Sequence, residues 1–142
     1  KTNKKMGRVF FDVRKNVQSL TAAYTVIPSD SGKVFVLNAA AGVAITLPSV
    51  ANMQEGWNCK FIVGTAFATT NWQITATAAV IKGGINELEI DDTDDHPDTV
   101  AGTTIDFVYS LETLGDYVEL TCDGTSIFIN GQTKLDGGIL LA

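Results

Sequence analysis

The 142-residue chain has only two cysteines, three prolines and one histidine, and each scarcity removes a class of function. Cys59 and Cys122 are too few for a disulfide scaffold and lack metal-ligand spacing. Both sit in strand-like runs, where free cysteine behaves as a small buried hydrophobe, and a reducing, intracellular origin fits that usage. The single histidine, His96, lies in the acidic run DDTDDHPD, and no serine or cysteine is tied to it by a nucleophile motif. With no catalytic constellation and no cofactor motif in the chain, neither an enzyme nor a bound cofactor is expected. The basic start is not followed by an apolar stretch, so a secretory signal is not expected either.

Charge is scarce as well, at 18% of residues against 45% apolar. It is absent from Val34 to Gln54, a stretch long enough to raise the question of a membrane span. Asn38, Gly42, Thr46, Pro48, Ser49, Asn52 and Gln54 interrupt it, a polar load unsuited to lipid, so no membrane partner is expected. The stretch resolves instead into VFVL and VAITLP, the second with Val43, Ile45 and Leu47 alternating with Ala44 and Thr46. Gly32-Lys33 just ahead of it is not a phosphate-binding loop. That motif needs a glycine at position 27 and a hydroxyl at 34, where Ile27 and Val34 stand. Asp30-Ser31-Gly32 reads as a turn before a strand beginning at Lys33.

What is present is a succession of short strand signals: Tyr24 to Ile27, Cys59 to Val63, Trp72 to Thr75, Ala79 to Ile81, Thr104 to Tyr109, Tyr117 to Cys122, Ser126 to Ile129 and Gly138 to Leu141. Helical periodicity lasts no longer than one turn, over Ser49 to Gln54. In YVELTCDGTSIFING, Val118, Leu120 and Cys122 face one way, Asp123-Gly124 supplies a hairpin turn, and Ile127 and Ile129 answer on the returning strand. Asn130-Gly131 then reads as a second turn. Many short strands and no useful helix predict an all-β domain, an antiparallel sandwich or barrel-like fold over residues 19–142.

Residues 1–18 differ, and read as an extended basic N-terminal arm. Lys1, Lys4, Lys5, Arg8, Arg14 and Lys15 face Asp12 alone, a net of +5 through residue 15, whereas the remainder carries four bases and fifteen acids, a net of −11. A basic arm on an acidic body marks an interaction tail. Its apolar cluster, Val9, Phe10, Phe11 and Val13, needs a surface to bury against. Nucleic acid is not the expected partner, because the acidic body would be repelled by phosphates and no RNA-binding signature is present. Asp91, Asp92, Asp94, Asp95 and Asp98 are the oxygen ligands calcium prefers, and form the candidate cation site. The EF-hand register fails there, since His96 and Gly102 occupy its sixth and twelfth positions, and an exposed acidic loop is the plainer reading.

One resemblance is carried by Asp30-Ser31-Gly32-Lys33-Val34-Phe35, Val43 to Pro48, Phe61-Ile62-Val63-Gly64, Gly115 to Leu120 and Asp123-Gly124-Thr125. In these residues the chain resembles the capsid decoration, or head cement, proteins of tailed bacteriophages, which share a β-rich domain type with some tail-fibre modules. The likeness spans about residues 20 to 140 and leaves the arm outside it. It implies a homotrimer on the outer capsid surface of a virion, made in the bacterial cytoplasm, that cements neighbouring subunits of the major capsid protein. Under that expectation Lys1, Lys4, Lys5, Arg8, Phe10, Phe11, Arg14 and Lys15 form the capsid-binding arm. The alternative is an adsorption or tail-fibre module binding host glycans, for which Trp57, Trp72, Tyr109 and Tyr117 are the available stacking platforms; core packing is the plainer role for these rings.

Overall fold

The structure is a computed structural model describing residues 14–89 and 101–142. Among the described residues, eleven strands build two sheets around one apolar core. In chain order they are β1 (Val17–Leu20), β2 (Tyr24–Thr25), β3 (Val34–Leu37), β4 (Ala44–Thr46), β5 (Glu55–Val63), β6 (Trp72–Thr75), β7 (Ile81–Glu87), β8 (Thr104–Phe107), β9 (Tyr117–Asp123), β10 (Ile127–Thr133) and β11 (Ile139–Leu141). One helical turn, α1 (Val50–Met53), follows Pro48, with the Ser49 hydroxyl accepting the Asn52 amide. The first sheet has the order β1-β3-β5-β9-β10-β7 and the second β11-β8-β6-β4-β2. The expected all-β sandwich is what forms.

The sheets are mixed rather than antiparallel. Strands β1, β3 and β5 run parallel, as do β2, β4 and β6, and β7 lies parallel to β10. From β1 to β6 the chain alternates between the two sheets, so each parallel neighbour is reached through a strand of the opposite sheet. A parallel pair needs such a crossover. The small residues between VFVL and VAITLP therefore carry the chain across the sandwich instead of folding a hairpin. The expected hairpin at Asp123-Gly124 does form, joining β9 to β10; the Asp123 carboxylate accepts the Thr125 and Ser126 amides at 2.8 and 2.6 Å.

Two glycine-bearing strands depart from the expected pattern. Asn130-Gly131 is not a turn but lies inside β10, in register with Glu119-Val118 on one side and Gly84-Ile85 on the other. A Cβ at position 131 would stand 2.6 Å from Ile85 Cδ1 and 2.8 Å from the Tyr117 carbonyl, so glycine is kept here by close approach. Strand β7 likewise begins where the expected strand Ala79 to Ile81 ends. At Gly83, φ is +125° and a Cβ would collide with the Ile129 carbonyl, which explains a glycine at this point within a strand.

The core follows the period-two pattern. In β5, Trp57, Cys59, Phe61 and Val63 are buried; in β9, Val118, Leu120 and Cys122. Phe35 and Phe61, cross-strand partners, stack with centroids 5.0 Å apart. The buried Asp116 carboxylate is well answered: it accepts from the Thr113 amide (2.8 Å), the Thr133 hydroxyl (3.0 Å) and the Lys134 amide (3.1 Å), tying the start of β9 to the end of β10. Cys59 and Cys122 are both free and buried, and burial pushes the Cys59 thiol well above its ordinary pKa. Ellman's reagent is accordingly expected to find no reactive thiol in the native protein at neutral pH and two after denaturation.

Candidate docking surface

The sequence places the basic arm ahead of the domain, and strand β1 shows where the two join. The strand starts at Val17, two residues before the expected boundary, so Arg14 and Lys15 directly precede the edge of the first sheet. Lys1, Lys4, Lys5, Arg8, Phe10 and Phe11 lie outside the described residues, as do Asp91, Asp92, Asp94 and Asp95. Among the described residues, no three His, Cys, Asp or Glu side chains gather where they could hold a metal ion, and no helix is long and apolar enough to cross a membrane.

Register sets what β1 presents. Val17, Val34, Lys60 and Glu119 form one cross-strand row on the outer face, and Ser19, Val36, Ile62 and Tyr117 the next. The inward neighbours of these residues fill the core, so valine, isoleucine and tyrosine are left lining an outer face. Val17 is 61% exposed, and Val34, Val36, Ile62 and Tyr117 are half-buried. Lys60 holds the charged part of the face: its ammonium lies 3.3 Å from Glu119 and 3.9 Å from the centre of the Tyr117 ring. Beside it is a shallow cavity of about 260 Å³, bordered by Lys15, Lys33, Val34, Asn58, Lys60 and Glu119.

Lys33 connects this corner to the sandwich interior. Its ammonium contacts Asp30 at 2.7 Å and donates to the Gln18 side chain at 2.9 Å, while Asp30 also accepts from the Tyr24 hydroxyl and the Ile27 amide, each at 3.0 Å. One carboxylate thus joins β2, the following turn, β3 and, through Lys33, the edge strand β1. Burial opposes the charge on Asp30, but the Ile27 amide, Lys33 and Tyr24 together hold its pKa below the usual value. A lowered folded-state pKa gives stability that is complete above the unfolded value of about 3.9 and is lost as pH falls through the folded one. The melting temperature should therefore fall with acidification below about pH 4, and Asp30→Asn should show a shallower fall in a thermal-melt pH series. Asp123, whose pKa is lowered by the Ser126 and Thr125 amides, keeps part of that acid response in the variant.

The four aromatic platforms separate. Trp72 is fully buried and Trp57 nearly so, their indole N–H groups donating to the carbonyls of Ala39 (3.2 Å) and Pro28 (3.1 Å). Tyr117 is covered by Lys60, and Tyr109 is 43% exposed on the loop after β8. Neither tryptophan offers a face to solvent. Sequence reasoning missed the outer-face set of Val34, Val36, Lys60, Ile62 and Glu119. Alternation in NCKFIV does put Lys60 and Ile62 opposite Cys59 and Phe61, yet it does not show which strands lie beside them. Comparison of the chain with protein-family models, curated proteins and solved structures finds no match.

Proposed function

We propose that this chain is a non-enzymatic structural protein of a tailed-phage virion, a homotrimer that binds the outer capsid surface and cements neighbouring subunits of the major capsid protein. The observation that carries the reading is the junction at β1. The basic, phenylalanine-bearing leader runs directly into a rigid sheet edge whose outer face presents Val17, Val34, Val36 and Ile62. The sequence resemblance to head decoration proteins supplies the partner, and the two-sheet β-sandwich is compatible with it.

Energetics favour this division of labour. One exposed ion pair contributes only about 0 to 1 kcal/mol, whereas burying Phe10 and Phe11 against a partner adds about 1.5 to 3 kcal/mol each. Three arms on one trimer multiply the effect through avidity. Binding only to the assembled shell would shift its equilibrium toward that state. The test is to mix the protein with undecorated heads and follow their melting: a rise in the head transition supports cementing, and no shift at saturating protein contradicts it. The glycan-binding alternative retains Tyr109 as an exposed platform but loses Trp57 and Trp72 to the core.

A further inference from the structure

The outer face of the second sheet belongs to neither the core nor the docking surface. Strands β2, β4 and β6 run parallel and in register, and β8 returns antiparallel beside them, so Thr25, Thr46, Thr75 and Thr104 form one cross-strand row. Ala44, Gln73, Asp106 and Leu140 form the next. Alternation points both rows away from the core, since Ile45, Ile74, Ile105 and Ile139 are buried beneath them. Leu140 and, just beyond Thr25, Ile27 add exposed apolar surface at the two ends of the sheet. The two rows hold one charge, and it is answered within them: Asp106 accepts from the Gln73 side-chain amide at 2.9 Å. The first sheet's outer face, by contrast, carries Lys60, Lys82 and Glu119.

Charge and hydrogen bonding select the occupant. On a chain of net charge −6, a face nearly empty of charge is where identical copies approach with least repulsion, and a strongly charged partner would find almost nothing there to pair with. A hydroxyl both donates and accepts, so a threonine row can bond a copy of itself, which a row of carboxylates or ammonium groups cannot do. Neighbouring strands of any sheet are about 4.8 Å apart, so two such rows also match in spacing. Growth of this sheet by edge pairing is disfavoured, because its edge strands β2 and β11 have two and three residues. We infer that the outer face of the second sheet is where copies of this chain meet, the threonine row of each packing against those of its neighbours. The inference rests on the homotrimer proposed above and assigns its interface, leaving the first sheet's face to the capsid.

The test needs no phage heads. Sedimentation equilibrium of the full chain should give about three times the 15.1 kDa chain mass. Ala44→Glu/Thr46→Glu, at two exposed positions of β4, should weaken self-association about a hundredfold or more and leave single chains. The equally charged Thr121→Glu/Phe128→Glu, on the first sheet, should stay assembled. Circular dichroism checks that each variant keeps the native fold. Thr46→Cys gives a readout that needs no disruption: under oxidant it should form a disulfide between chains, which Phe128→Cys should not, the native Cys59 and Cys122 being buried. A single-chain mass for the native protein would overturn the inference together with the homotrimer. Assembly that survives in folded A44E/T46E protein, or T46C chains that do not cross-link, would overturn the inference and leave the homotrimer standing. A two-chain assembly that A44E/T46E disperses would uphold the inference and overturn the homotrimer.

Discussion

Deleting residues 1–15 is expected to abolish binding to undecorated heads, an affinity loss of about a hundredfold or more, while the remaining body stays folded. The loss combines six basic side chains with Phe10 and Phe11, and the two phenylalanines alone are worth about 3 to 6 kcal/mol when buried. The body should survive because the cut falls outside the first strand. Asn16, whose carbonyl holds the Val34 amide, is retained, as are the four β1–β3 register pairs. Co-sedimentation with heads reads the first effect, and a circular-dichroism melt within about 2 °C of the intact chain reads the second. A folded truncated protein that still saturates heads would show that the leader is not the fastening.

The second large effect lies in the core. Trp72→Ala should cost about 3 to 5 kcal/mol, the range for removing a buried aromatic. Trp72 is fully buried at the start of β6, opposite Phe107 on β8, and its ring meets Phe67 with centroids 6.1 Å apart. Truncation leaves a cavity between the sheets and strips the Ala39 carbonyl of its indole donor. Urea unfolding measures the loss as a lowered midpoint at unchanged slope. A midpoint within error of the parent would mean that Trp72 is not part of the packed interior, and would reopen the glycan-platform reading.

Local structure was largely legible in the sequence, and connectivity was not. Period-two alternation in Tyr117 to Cys122 and in Cys59 to Val63 reports which side chains point inward, because that depends only on the pleat. Asp123-Gly124 is legible as a hairpin because turn chemistry is local. Whether a strand pairs with its chain neighbour or with the next strand but one depends on the path of a connection. Asn38 to Gly42 gives no sign that it crosses to the other sheet. Glycine misled for a related reason: Gly83-Gly84 and Gly131 look like breaks, yet Gly83 and Gly131 lie where another strand approaches too closely for a side chain. At Gly56, φ is +89° and the β5–β9 register shifts between Glu55 and Asn58, which hid the first part of β5.

The candidate surface was half legible. The charge asymmetry marks the leader, including Arg14 and Lys15, as the element expected to interact. In the folded half of the site, Lys33 meets Asp30 within one local turn, but Lys60 meets Glu119 only through the β5–β9 register, and no spacing rule announces that.

The most direct test is an electron cryomicroscopy reconstruction of heads saturated with the protein. The account predicts the β-sandwich on the outer shell, with density for residues 1–15 continuing from the β1 edge and packing Phe10 and Phe11 against major capsid subunits. A sandwich seated on the shell through other surfaces, with the leader touching no neighbour, would contradict it.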